Sequence, residues 1–152
     1  MDEMIDQSIR QQWMAVLAKA NVADLEEAWA FLREKPHYYF LRPPETGLIM
    51  VRARTGGGGS PFHLGEMTVT RCTVQVKNGF RGTAYVMGRN RRHAELAALL
   101  DALLQDPYQH ASLMGFIVHR LNHGIQKRKT MMAQKVGSTR VEFFTMVRGD
   151  ET

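Results

Sequence analysis

Cysteine is almost missing. Cys72 stands alone among 152 residues, so no internal disulfide can form, and one thiol beside six histidines gives no zinc-finger spacing. A disulfide-stapled secreted scaffold is excluded and a reducing compartment is expected. Long apolar runs are missing too. The richest stretch, Ala94 to Leu104, is interrupted by Glu95 and Asp101 and falls short of the roughly 20 residues that cross a bilayer. The first ten residues carry Asp2, Glu3 and Asp6 and no apolar block, so no secretory signal is expected. The chain is therefore expected in the cytoplasm, without a membrane partner. What is present is ordinary for a folded domain: hydrophobic residues make up 44%, and the length suffices to bury roughly 68–70% of the unfolded surface. One soluble domain over residues 1–152 is expected.

Charge is unevenly spread. Residues 1–34 hold seven acids (Asp2, Glu3, Asp6, Asp24, Glu26, Glu27, Glu34) against Arg10, Lys19 and Arg33, a net of −4, so the remainder of this +5 chain carries +9. Arg89, Arg91 and Arg92 lie together, and Arg120 to Arg140 contains Arg120, Lys127, Arg128, Lys129, Lys135 and Arg140 with no acid. Such polarity suggests an anionic partner for one part of the chain.

Ile5, Ile9, Trp13, Val16 and Ala20 stand at helical spacing, and Leu25, Ala28, Trp29 and Leu32 resume it after Asn21, which predicts an N-terminal helical pair over 1–34. Asn21 is expected to cap the second helix through its side chain, with Asp24 near the positive end of its dipole. Lys35 to Gly47, with Pro36, Pro43 and Pro44, reads as an irregular crossing tacked to the core by Tyr38, Tyr39, Phe40 and Leu41. Residues 48–148 are expected to form the sheet and its helices. Leu48–Arg54, Glu66–Lys77 and Phe80–Gly88 read as strands, and Asn78-Gly79 as a two-residue type I′ hairpin turn. Asn90 is placed to cap a helix over Arg91–Gln105. After Pro107 a second helical stretch carries Leu113, Phe116, Ile117, Val118, Leu121 and Ile125, and Val141–Arg148 reads as a fourth strand. The class is α+β: a four-stranded, mainly antiparallel sheet packed with helices.

Four features invite a chemical reading. Gly56, Gly57, Gly58 and Gly59 join two strands, unlike a phosphate loop, which opens into a helix. Residue types favour a mobile hairpin connection, the alternative being close approach to another backbone or amides facing an anion. Arg89, Arg91, Arg92 and His93 sit at a strand-to-helix junction, where planar guanidinium forks and free helix amides suit a phosphate or phosphonate; solvated charge, or pairing with carboxylates of a partner chain, is the other reading. His119 and His123, four apart on a predicted helix, share a face, but no third ligand is identifiable and structural histidines are favoured. Cys72 lies inside a strand and reads as a buried small residue. Glu66 and Arg71 have opposite pleat parity and cannot meet as an acid/base pair. Met131 and Met132 suit either an adaptable contact or the core. A helix-turn-helix is disfavoured because its recognition helix would carry Asp24, Glu26, Glu27 and Glu34.

The wording of several segments is specific. Residues 42–54, Arg-Pro-Pro-Glu-Thr-Gly-Leu-Ile-Met-Val-Arg-Ala-Arg, and the run from Gly56 through Ser60-Pro-Phe-His-Leu-Gly-Glu-Met-Thr-Val-Thr-Arg-Cys-Thr-Val resemble the PhnG family of the bacterial carbon-phosphorus lyase system. Gly-Thr-Ala-Tyr-Val-Met-Gly-Arg-Asn-Arg-Arg-His-Ala-Glu-Leu from Gly82, Val-Glu-Phe-Phe-Thr-Met-Val-Arg-Gly from Val141, and Arg10-Gln-Gln-Trp-Met-Ala-Val-Leu-Ala extend the resemblance over nearly the whole chain. It implies an obligatory, non-catalytic subunit of a complex with I, H and J types of subunit. That complex transfers an alkylphosphonate to the ribose C1′ of MgATP and releases adenine. The isolated chain is then inactive as a transferase, binds no cofactor or metal of its own, and has no assignable catalytic residue; MgATP is a substrate of the complex. Family motifs fall on Gly56 to Gly59 with Glu66, Thr68, Thr70 and Arg71, and on Arg89 to His93 with Glu95. Within them the glycine run gains weight as a close-approach loop, and the arginines as partner, phosphonate or triphosphate contacts. The alternative is a direct contribution of that Arg cluster to substrate binding. A basic nucleic-acid-binding protein is the lesser alternative, and no nucleic-acid partner is expected.

Overall fold

The computed structural model describes residues 6–54, 59, 61–77 and 79–150, with side chains described outside 53, 54, 61, 63, 116 and 136–150. Its elements are α1 (Gln7–Lys19), α2 (Val22–Phe31), β1 (Tyr38–Arg54), β2 (Pro61–Val76), β3 (Arg81–Met87), α3 (Arg91–Leu104), α4 (Pro107–Leu113), a π-helical turn (Met114–Val118) and α5 (His119–Asp150). Among the described residues the class is α+β, as expected, but the antiparallel sheet has three strands in the order β1-β2-β3.

The expected fourth strand, Val141–Arg148, lies within α5. Its β-branched and aromatic residues have strand composition, yet a strand needs a neighbour for its N–H and C=O groups whereas a helix satisfies them internally. The crossing expected over Lys35–Gly47 is also corrected, since β1 begins at Tyr38. Its register shifts between Phe40 and Arg42 and between Arg42 and Glu45, so Pro43 and Pro44 fall within the second irregularity. An edge strand tolerates proline there because the missing N–H is not needed by the ladder. Tyr38 packs against the core, whereas Tyr39, Phe40 and Leu41 are exposed.

The N-terminal pair forms as expected, with different capping. Asp6 caps α1 by accepting from the Ser8 N–H at 3.1 Å. Asn21 occupies the cap position of α2 but its side chain makes no capping bond. The β2–β3 hairpin pairs Gln75 with Arg81, and the Val76 N–H donates to the Phe80 carbonyl at 3.2 Å. Three residues, 77–79, therefore make the connection instead of a two-residue type I′ turn; Asn78 itself lies outside the described residues.

Helix α3 is buried almost all round. Ala94, Leu96, Ala97, Ala98, Leu99, Leu100, Ala102, Leu103 and Leu104 all lie in the core, the mark of a central helix. It crosses all three strands and also packs against α1, α2 and α4. At Gly82 the crossing is closest: an added Cβ would fall within the Ala98 carbonyl oxygen and lie 2.8 Å from the Ala102 nitrogen. The opposite face of the sheet keeps Tyr39, Ile49, Tyr85 and Met87 exposed.

One polar group sits inside this core. Asp101 on α3 is fully buried. It accepts from Arg10 Nε at 3.2 Å and Nη2 at 2.9 Å, from Trp13 Nε1 at 2.8 Å and from the Thr83 N–H at 2.9 Å. The carboxylate thereby pins α1 and β3 to α3, and it holds the Arg10 guanidinium more firmly protonated than usual, chiefly through their hydrogen bonds.

Two substitutions separate these constraints. Asp101→Ala leaves buried donors without an acceptor and should cost about 3–5 kcal/mol, whereas Gly82→Ala pushes α3 off β3 and should cost about 3 kcal/mol, the upper part of the usual overpacking range. Urea unfolding of both variants checks this. A midpoint within error of the parent for Asp101→Ala would contradict the first expectation, and the same result for Gly82→Ala the second.

Candidate functional site

The strand-to-helix junction between β3 and α3 carries the arginine cluster singled out from the sequence. Gly88 turns the chain there with φ of 91°, a left-handed conformation that favours glycine. Its carbonyl accepts from Thr70 Oγ1 at 2.7 Å, and Thr70 Oγ1 lies 3.1 Å from Thr46 Oγ1. Asn90 then caps α3 as expected, accepting from the His93 N–H at 3.0 Å.

The arginine cluster does not converge on one point. Arg92 turns back to the protein: Nε donates to Glu26 Oε1 at 2.6 Å, Nη2 to Glu26 Oε2 at 3.2 Å and Nη1 to Glu95 Oε1 at 3.2 Å. His93 is buried, and its Nε2 lies 2.9 Å from the Leu17 carbonyl oxygen. Since a carbonyl only accepts, Nε2 carries the proton. That carbonyl belongs to the last turn of α1, where helix acceptors lack partners, so His93 closes the end of α1. Arg89 and Arg91 alone face solvent, and neither makes an ion pair with a described residue.

Around Arg92 the polar groups form a chain. Tyr38 Oη donates to Glu95 Oε1 at 2.5 Å. The Arg92 hydrogen bonds hold the Glu26 carboxyl below its ordinary range, and Glu26 in turn raises Arg92. Burial first and the Glu95 hydrogen bond second push the Tyr38 phenol up to about 12. Burial, with the Glu95 charge second, pushes the Cys72 thiol up to about 12. Near neutral pH both are protonated and neither is a nucleophile. The network braces α2, β1 and α3 against one another.

The remaining candidates are dispersed. Glu66 is exposed opposite Met50, and Arg71 pairs with Glu45 at 3.3 Å, so the two stay apart as their parity required. Gly56, Gly57 and Gly58 lie outside the described residues, and Gly59 is described only as an exposed bend. His123 lines a groove between α2 and α5 with Asp24, Glu27 and Arg120, while His119 lines another with Lys19 and Lys129. Among the described residues no three potential metal ligands gather. No helix among them is long and apolar enough to cross a membrane. Met131 and Met132 are exposed, not core.

Sequence reasoning overlooked Asp101, Arg10 and Trp13. A signal existed: Ala94, Ala97, Asp101 and Leu104 share one helical face, and a lone carboxylate on an apolar stripe demands buried donors. The charge polarity also has an internal use, because Glu26 pairs with Arg92, Glu27 with Arg120 at 3.4 Å and Asp24 with Arg128 at 3.8 Å.

The family model for PhnG, described as a phosphonate metabolism protein, matches residues 8–149. A relative from Rhizobium meliloti (strain 1021), named alpha-D-ribose 1-methylphosphonate 5-triphosphate synthase subunit PhnG, is 42% identical over 145 residues, covering 93% of this chain and 90% of the relative.

The Tyr38 environment sets a pH signature. Its folded pKa of about 12 stands above the unfolded value of about 10, so its contribution to stability is complete below the unfolded value and is lost as pH rises through the folded one. Tyrosinate absorbance of the native chain should contain a late component centred near 12 that vanishes in Tyr38→Phe. A titration unchanged by that substitution would contradict the burial and hydrogen bonding that hold Tyr38 protonated.

Proposed function

This chain belongs to the PhnG family of phosphonate metabolism proteins, and on that footing we propose that it is an obligatory, non-catalytic subunit of a cytoplasmic carbon-phosphorus lyase assembly. The assembly, with I, H and J types of subunit, transfers an alkylphosphonate to the ribose C1′ of MgATP and releases adenine. The isolated chain is inactive as a transferase and holds no cofactor of its own.

The observation that carries this reading is the apolar surface left open by the fold. Leu48, Ile49, Met50, Phe62 and Leu64 on the two long strands are all exposed, Leu48 at 64% and Met50 at 58%. Large apolar side chains left in water on both faces of one ribbon mark an interaction surface. The groups that could have served chemistry are instead committed to structure: Arg92 to Glu26, His93 to Leu17, and Tyr38 to Glu95.

A second reading is favoured by Arg89 and Arg91, which remain exposed at the start of α3. Two guanidinium groups beside a helix N-terminus suit a phosphonate or triphosphate, so the subunit contributes charge to a substrate site completed by its partners.

Reconstitution with I-, H- and J-type subunits tests both. Omitting the chain should abolish adenine release from MgATP and alkylphosphonate; unchanged release without it would sink the subunit reading. Arg89→Ala with Arg91→Ala spares every described ion pair. Intact assembly with turnover reduced by about tenfold or more, equal to about 1.4 kcal/mol of barrier, supports charge supplied to substrate. Lost assembly assigns the pair to subunit contact, and an unchanged rate removes both roles.

A further inference from the structure

The two edges of the sheet are finished differently. Along β3, Arg81, Thr83 and Tyr85 stand opposite Gln75, Thr73 and Arg71. Thr83 directs its N–H away from β2, where Asp101 takes it at 2.9 Å. The Arg81 carbonyl, also directed outward, accepts from Gln105 Nε2 at 2.7 Å. Side chains of α3 and its C-cap thus occupy that edge at Arg81 and Thr83, a common protection against strand addition.

The β1 edge has no such closure. The Gly88 N–H donates to the Thr68 carbonyl at 2.9 Å, so the backbone groups of Thr68 point toward β3. Its partner across the ladder, Leu48, is then in a non-hydrogen-bonded pair, and Leu48 directs its own N–H and C=O away from β2. By the two-residue period the same holds for Thr46 opposite Thr70 and for Met50 opposite Glu66. Three alternating residues therefore present one donor and one acceptor each along an open edge, and no described residue takes them. Pro43 and Pro44 lie just upstream and can donate nothing, so the open stretch begins at Glu45.

Beyond Val69, paired with Met87, the third strand ends. The β1/β2 ribbon continues to Arg54 and Pro61 as two strands, with Leu48, Met50, Phe62 and Leu64 in water. A two-stranded ribbon is marginal by itself and gains stability from a third strand and a covered face.

We propose that the open β1 edge from Glu45 to Arg54 accepts an extended strand from another subunit of the assembly, which builds the sheet outward. The inference rests on the subunit reading above and names its contact surface. Main-chain hydrogen bonds to Thr46, Leu48 and Met50 set the register, as in other cases of strand addition. Alternate apolar side chains of the incoming strand pack beside Leu48 and Met50. Arg42 and Arg52, exposed near the two ends and in no ion pair with a described residue, call for carboxylates on that strand. A second copy of this chain fits poorly, because each copy brings a net charge of +5 and the same two arginines to the seam.

Amide hydrogen exchange on the wild-type chain, free and within the reconstituted complex, reads the edge directly. Leu48 and Met50 amides should exchange quickly in the free chain and slow in the complex. Failure of the chain to co-purify with its partner subunits would overturn the subunit reading and this inference together. Co-purification with the two amides still fast overturns this inference alone. Slowing that appears in the isolated chain at raised concentration also overturns it, by showing self-pairing. As a second readout, Met50→Pro removes an outward N–H without taking a bond from the β1–β2 ladder. Its circular dichroism should match the parent while its affinity for the partner subunits falls by at least about tenfold, or about 1.4 kcal/mol. A folded Met50→Pro chain that binds as tightly as the parent would reject the edge.

Discussion

The Asp101 carboxylate sits at full burial in the last turn of the central helix and accepts hydrogen bonds from α1 and from the edge of β3. Withdrawing a carboxylate from water costs several kcal/mol, and exchanging the carboxylate together with all its donors for well-packed apolar groups is often close to neutral. What the charge supplies is selectivity of arrangement. Arg10 and Trp13, three apart on α1, can reach the same carboxylate only if that helix lies in one register along α3, and Thr83 can reach it only if β3 lies at one height. The helical layer and the sheet are thereby indexed to a common point, and His93, in the first turn of α3, repeats the device by holding the Leu17 carbonyl in the last turn of α1.

Around this point the charge polarity along the chain becomes a local matter. The acids of α2 meet basic residues from α3 and α5, pairs that are mostly exposed and screened by solvent. Their role is orientation of α2 more than cohesion, which comes from Trp13, Leu17, Leu25 and the alanine-leucine face of α3. Positive charge left over gathers at Arg89, Arg91 and the exposed part of α5.

Much of this was legible in the residues. The Asn90 cap, the burial of Cys72, the hairpin and the helix after Pro107 follow from local rules: a short polar side chain before an apolar run, a small residue among Thr and Val, a glycine between strands. The misreadings were nonlocal. Nothing near Pro43 and Pro44 reveals that their strand is an edge, where missing donors do no harm. Nothing near Val141 reveals whether a neighbouring strand awaits it. The arginine cluster reads as one site in the sequence because its members are adjacent there, whereas the helix turns Arg92 toward Glu26 and leaves Arg91 outside. Asp101 was visible as a break in an apolar run, and its partners, about ninety residues upstream, were not.

The π-helical turn at Met114–Val118 gives the last helix its heading. Such a turn amounts to one residue inserted into an α-helix, and one residue corresponds to about 100° of rotation. Leu113, Ile117, Leu121 and Ile125 all remain buried across it, while Arg120 and Arg128 point at Glu27 and Asp24. Were the five-residue turn shortened by one, the apolar stripe of α5 would swing off the body and its guanidinium groups would leave the acids of α2. A single-residue deletion in this turn would thus change the angular phase between α5 and the body of the molecule without removing any of the residues that make the contact.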